Sequence, residues 1–232
     1  MNAGRGRTLF TALCLLLATG FAALGGWQVE RRGWKLALIE RIEARVQAAP
    51  VALPTGAAWR GDQAYRRVRV SGVFLHDRET LVQAVTDLGA GWWVLTPLRS
   101  PAGIVLVNRG FVPPERRASS TRRAGLPQGV VTVTGLLRTS EPGGGFLRSN
   151  DPAADRWYSR DVVAIARARA LGRVAPCFLD ADAAPNAGGF PVGGLTVIAF
   201  PNNHLVYALT WFTLAGLSLA GAVISFRRRG GR

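Results

Sequence analysis

The chain contains two histidines, and one of them, His204, stands in NNHLVYALTWF (202–212), at the mouth of a long apolar run. Three roles are open to an imidazole there. It can be an interfacial polar residue at the start of a helix capped by Asn202 or Asn203, since asparagine is a strong N-cap and amphipathic side chains collect at headgroup depth. It can ligate a metal through a neutral ring nitrogen. It can belong to a face on which another helix docks, because aromatic and small residues suit helix packing in lipid. If the run is helical, positions 204, 207, 208, 211 and 215 share one face, seven residues making almost two turns. That face reads His204, Tyr207, Ala208, Trp211 and Ala215: a nitrogen ligand, two aromatic rings, and small residues beside them.

Other chemistry is thin. With His76 and His204 alone, a Ser–His–Asp site lacks the G-x-S-x-G turn that presents a nucleophile. The single lysine, Lys35, lies in no phosphate loop. A copper site wants clustered Cys, Met or His, but Met1 is the only methionine and Cys14 and Cys177 are far apart in sequence. His76, in LHDRE, reads as a surface-turn histidine. Asp151 and Asp155 lack the ligand spacing of a calcium loop. Gly143, Gly144 and Gly145 read as a flexible turn. The residues therefore predict no catalytic set and no enzyme.

Two elements have to position His204. Leu205 to Phe226 and Thr8 to Val29 are each 22 residues free of charge, about 33 Å as helix against a hydrocarbon core of about 30 Å. The first run exceeds the roughly 7–15 residues of a signal-peptide core, so it reads as an uncleaved anchor. Arg227, Arg228, Arg229 and Arg232 follow the second run, which places both termini in the cytoplasm. The expected organisation is a first span at 8–29, an extracytoplasmic (periplasmic) domain at 30–203 and a second span at 204–226, in a multi-pass protein of the cell inner membrane. With antiparallel spans, Gly25, Gly26 and Trp27 are expected near His204. The two cysteines are not expected to meet, so no disulfide framework is implied.

The formal charge of +15, from 29 basic and 14 acidic residues, invites a nucleic-acid reading. Six arginines at the chain ends supply part of it, and a domain outside the cytoplasm meets no genome. An arginine-rich exterior suits anionic membrane lipid or an acidic partner better.

Between the spans, KLALIERIEARVQ (35–47) has helical spacing and Pro50 and Pro54 end it. PTGAAWRGDQA (54–64) reads as a linker. Strands are predicted at 65–74, 80–85, 92–98, 104–112, 130–138, 177–181 and 193–200, rich in β-branched and aromatic residues and punctuated by Gly and Pro. Gly72, Gly110 and Gly135 are expected at or near strand ends. Residues 116–129 read as a polar loop, 141–152 as a flexible loop, and 161–172 as a short helix ending at Gly172. The fold class is thus a membrane protein whose two terminal transmembrane helices flank an α+β, mainly antiparallel-β domain.

The order of LGGWQVERRGWKLALIERI (24–42), YRRVRVSGVF (65–74), GWWVLTPLRSPAGIVLVNRGFVP (91–113), NDPAADRWYSRD (150–161), PVGG (191–194) and NNHLVYALTWF (202–212) resembles the Surfeit-locus family of cytochrome oxidase assembly factors, in its bacterial form. The resemblance covers nearly the whole chain. One departure is Phe111, where the family commonly has tryptophan; a difference in packing rather than function is expected there. The resemblance implies a role in maturing haem–copper terminal oxidases, by assisting haem a delivery to, or stabilisation in, the catalytic subunit, with a haem a synthase as a further candidate partner. It points to His204 as the metal ligand and to Trp211 and Tyr207 as cofactor-binding residues. The competing reading is a membrane scaffold that docks an oxidase subunit and holds no haem.

Overall fold

The computed structural model describes residues 3–54, 63–198 and 200–227. It divides into two compact units, Met1–Arg41 with Ala199–Arg232, and Ile42–Ile198. Most of the expected linker at 54–64 lies outside the described residues.

The first unit holds α1 (Ala3–Gln47), all but its last turns, from Ile42 on, which belong to the second unit, and α3 (His204–Arg227). Their most apolar windows have mean hydropathies of 2.0 and 1.7, long and apolar enough to cross a membrane. α1 ends three residues before Pro50, whose ring restricts the residue ahead of it to extended backbone.

The second unit is built on β1 (Val51–Ala52), β2 (Arg67–Phe74), β3 (Thr80–Thr86), β4 (Gly89–Ser100), β5 (Gly103–Val112), β6 (Val130–Thr139) and β9 (Val174–Ala181). A small hairpin of β7 (Gly144–Gly145) and β8 (Arg148–Ser149) and one short helix, α2 (Val162–Ala168), interrupt the series. The sheet runs β1-β2-β6-β9-β5-β4-β3. The end of β2 also pairs with β4, Val73 opposite Arg99 and Phe74 opposite Leu98. That pairing returns the sheet onto itself, so β2, β6, β9, β5 and β4 form a closed ring. Pairing is antiparallel except for β1–β2 and β5–β9.

Closure explains why residues 104–107 of β5 and 177–179 of β9 read as apolar runs without polar alternation. Val105, Val107, Cys177 and Leu179 point into one core with Val68, Val70, Phe74, Leu98 and Leu137. The alternate residues Leu106 and Phe178 point into a second core, covered by Trp157 and by Val162 and Ile165 of α2. A strand buried on both faces loses the polar alternation of a half-exposed one. α2 starts where Asp161 accepts a hydrogen bond from the Ala164 amide (3.1 Å).

Several expectations are corrected. Residues 193–200 form no strand among those described; only Val192 pairs, exchanging two 2.9 Å hydrogen bonds with Phe111. Gly194 at φ +74° turns the chain away just after it. The polar stretch after β5 is not a free loop: it winds as 3-10 turns at Pro114–Arg116 and Ser119–Gly125, pinned by buried Arg122, which grips Glu79 through both guanidinium nitrogens. The loop at 141–152 contains the β7–β8 hairpin. Gly135 lies in the middle of β6, whereas Gly72 and Gly110 lie near the ends of β2 and β5 as expected; in all three a Cβ would strike backbone, that of Asp180, Arg99 and Val192 respectively. Gly110 and Arg109 together face the single residue Val94 across a break in the β4–β5 register, a β-bulge. Phe111 is 1% exposed and meets Trp93 edge-on at 6.2 Å, so packing accounts for its ring. His76 opens a 3-10 turn, His76–Arg78, but is half-buried within it: Nε2 lies 3.0 Å from the Pro127 carbonyl oxygen and the ring is tilted against Phe74.

Candidate functional site

α1 and α3 meet side chain to side chain in antiparallel order. Thr11 donates to Ser225 (3.1 Å), a Cβ on Gly221 would touch Cys14 Sγ at 3.5 Å, and Gly25 leaves room for the Phe212 ring. Phe21 and Trp211 stack with centroids 5.6 Å apart at 25°. At the end of the series His204 Nδ1 lies 2.7 Å from Gln28 Oε1.

That last contact fixes the chemistry of the imidazole. The amide oxygen is an acceptor only, so Nδ1 carries the proton and donates it. In a neutral ring Nε2 then keeps its lone pair. It has no hydrogen-bond partner among the described residues. A ligating histidine is normally oriented in this way, through a hydrogen bond at its other nitrogen.

The rest of the sequence-derived face divides. Ala208 is buried, and Trp211 is half-buried and committed to Phe21. Tyr207 is 54% exposed and stands clear of that stack. Of the residues expected near His204 from α1, Gly25 faces Phe212, a Cβ on Gly26 would meet nothing, and Trp27 is 54% exposed. The residue that reaches His204 is Gln28, one position further on. Its signal was an uncharged polar side chain ending an apolar run opposite the histidine. The capping expectation also changes. Asn203 stands at the N-cap position, its carbonyl accepting from the Tyr207 amide (3.2 Å), but among the described residues Asn202 Oδ1 is buried without a partner, and no hydrogen bond runs from an asparagine side chain to a helix amide.

The sheet-rich unit has its own polar centre. Asp180 is buried and accepts from Asn108 (2.8 Å), Arg138 (2.7 Å), Arg160 (3.3 Å) and Thr196 (3.1 Å). Glu141 closes the group, accepting from Arg160 at 2.6 and 2.9 Å. Burial alone would raise the Glu141 pKa, but the hydrogen bonds and charge of Arg160, with Arg138 beyond, hold it below its ordinary 4.5. A carboxyl depressed in the fold contributes stability above its unfolded pKa and loses it as pH falls through the folded value. Thermal melts should therefore show the midpoint falling once pH drops below about 4.5, with a shallower fall in Glu141→Gln. Some slope should persist in the variant, because Asp151, paired with Arg156, is depressed as well. Cys177 takes no part: burial pushes its thiol up to about 12.

Fold and site together define a class: a closed-sheet domain in a chain with an apolar helix near each end, the second opening on an oriented histidine. The profile of the SURF1 family matches residues 15–216. A SURF1-like protein of Monosiga brevicollis is 38% identical over 98% of this chain and 90% of its own length. Surfeit locus protein 1 of Mus musculus is 38% identical over 93% of this chain and 74% of its own, and that of Homo sapiens 36% over 93% and 76%. The chain belongs to the SURF1 family.

Proposed function

We propose that this chain is a non-catalytic assembly factor for haem–copper terminal oxidases, a bacterial member of its family, holding haem a for the catalytic subunit and receiving it from a haem a synthase. The observation that carries the proposal is the Gln28–His204 hydrogen bond, which leaves Nε2 with a free lone pair. The donor set fits the group: a neutral imidazole is a common axial ligand of haem iron, and Tyr207, exposed one turn along, offers a ring to a flat macrocycle. Trp211 contributes through its stack with Phe21. Haem bound there would supply an iron centre in transit to the oxidase. This chain's residues orient the imidazole, keep its proton on Nδ1 and hold the two helices together.

The test is the pigment of the purified full chain produced in cells that make haem a. A Soret band with about one haem per chain is expected from the single oriented imidazole. A colourless protein that still co-purifies with an oxidase subunit would instead favour the docking scaffold. That reading has its own support: Leu205, Val206 and Leu209 leave large apolar side chains exposed at the start of α3.

The proposal sets α1 and α3 across the inner membrane, with both termini cytoplasmic and the sheet-rich unit in the periplasm. Arginines after the second helix are retained on the cytoplasmic side. Reporter fusions following Arg232 should be active only as cytoplasmic reporters. A periplasmic signal would overturn the orientation and put His204 on the wrong side.

A further inference from the structure

Arg109 sits on the β5 bulge and is 3% exposed. Among the described residues its charge meets only neutral groups directly. Nη2 donates to the Gly125 carbonyl and to Asn186 Oδ1 (3.1 Å), and the guanidinium lies 4.8 Å over the Phe74 ring. Nη1 is buried with no hydrogen-bond partner among the described residues. The nearby carboxylate, Glu79, is held by both guanidinium nitrogens of Arg122. Asp182 is engaged by Arg67 at 3.0 Å. Burial lowers the pKa of Arg109 to about 10, with Glu79 opposing that effect and Arg122 adding to it. A buried guanidinium without a carboxylate is costly, and a native fold keeps one where a partner arrives.

Arg109 is also part of the wall of a cavity of about 230 Å³. Phe74, Val107, Val131 and Val133 make its apolar side, and Asn186, Thr134 and Asp182 its polar side, the Asp182 carboxylate being neutralised by Arg67. Thr132, Ala184 and Pro185, all exposed, also line it and form its rim. We infer that this cavity is a binding site for a single carboxylate borne on a short apolar group, with Arg109 as its anchor. A carboxylate matches the flat fork of a guanidinium. One unpaired charge suits a monoanion better than a phosphate dianion. The four apolar walls ask for a hydrocarbon tail. A free small carboxylate and the C-terminal carboxylate of a polypeptide both have this chemistry. The site is independent of the histidine at α3.

Calorimetry on the full chain in detergent tests it, with butyrate, its neutral isostere butyramide, and a tripeptide ending in valine as free acid or amide. Butyrate should bind at one site per chain, and butyramide at least about tenfold more weakly, because a charge-assisted hydrogen bond is lost. Arg109→Met should abolish butyrate binding. Ala184→Phe alters an exposed rim residue, so it should fold normally and still block entry, weakening butyrate by about tenfold or more through steric exclusion. Tighter binding of the free-acid tripeptide than of butyrate identifies a polypeptide terminus as the source; weaker binding identifies a free carboxylate. The site is overturned if butyrate does not bind, if butyrate and butyramide bind alike, or if the folded Ala184→Phe protein binds butyrate as the unaltered chain does.

Discussion

Gly110→Val should leave almost no folded protein. Gly110 has φ +127°, a region closed to β-branched residues. A Cβ there would also lie 2.1 Å from the Val192 carbonyl oxygen and 2.3 Å from its carbon. Neither obstacle is the end of a flexible side chain. Relieving the second breaks the paired hydrogen bonds between Phe111 and Val192, the backbone pairing that holds the segment after β9 against β5. Strain and lost pairing together should exceed about 4 kcal/mol, in the range reserved for severe backbone lesions, against a typical total of about 5–15 kcal/mol. Quantitative immunoblotting should show abundance collapsing, while any surviving molecules carry normal pigment. Normal abundance with lost pigment would refute the structural role of this glycine.

His204→Ala should insert and accumulate normally yet lose most of its haem. α3 keeps its apolar length, the Phe21–Trp211 stack and the Thr11–Ser225 bond, so the helix pair survives. An iron held there as proposed would lose its nitrogen ligand. The other histidine, His76, belongs to the sheet-rich unit and is engaged at Pro127, so it is no substitute. Gln28→Leu should have a graded effect, because the ring stays but its tautomer and orientation are freed. Loss of such a supporting hydrogen bond costs about 10–100-fold in metal affinity. Gln28→Glu, which keeps an acceptor, should restore much of it. Trp211→Phe should retain the ligand and weaken retention only partly, since an aromatic partner for Phe21 remains.

Local chemistry made much of this fold legible. Strands β2 to β6 announce themselves through β-branched residues between Gly and Pro, and Asp161 marks the start of α2. What was not legible is non-local. Nothing in YRRVRVSGVF says that Val73, while still paired with β6, also meets β4, or that Phe74 passes to β4 and closes the ring. GGLTVIAF has strand composition, yet after Val192 it has no partner strand among the described residues, and composition cannot supply one. Arg122 lies in a stretch that reads as solvated, but Glu79, 43 residues earlier, buries it. At the site, helical periodicity placed His204, Ala208 and Trp211 on one face but could not tell a face open to a ligand from one filled by α1. Gln28 was within reach of the antiparallel argument, which stopped one residue short.

The most direct measurement of the central claim is resonance Raman spectroscopy of the ferrous haem protein, with ¹⁵N-labelled histidine. Only His76 and His204 carry the label. The account predicts an iron–histidine band that shifts on labelling, persists in His76→Gln and vanishes in His204→Ala. A band insensitive to the label, or one that survives unchanged in His204→Ala, would contradict it.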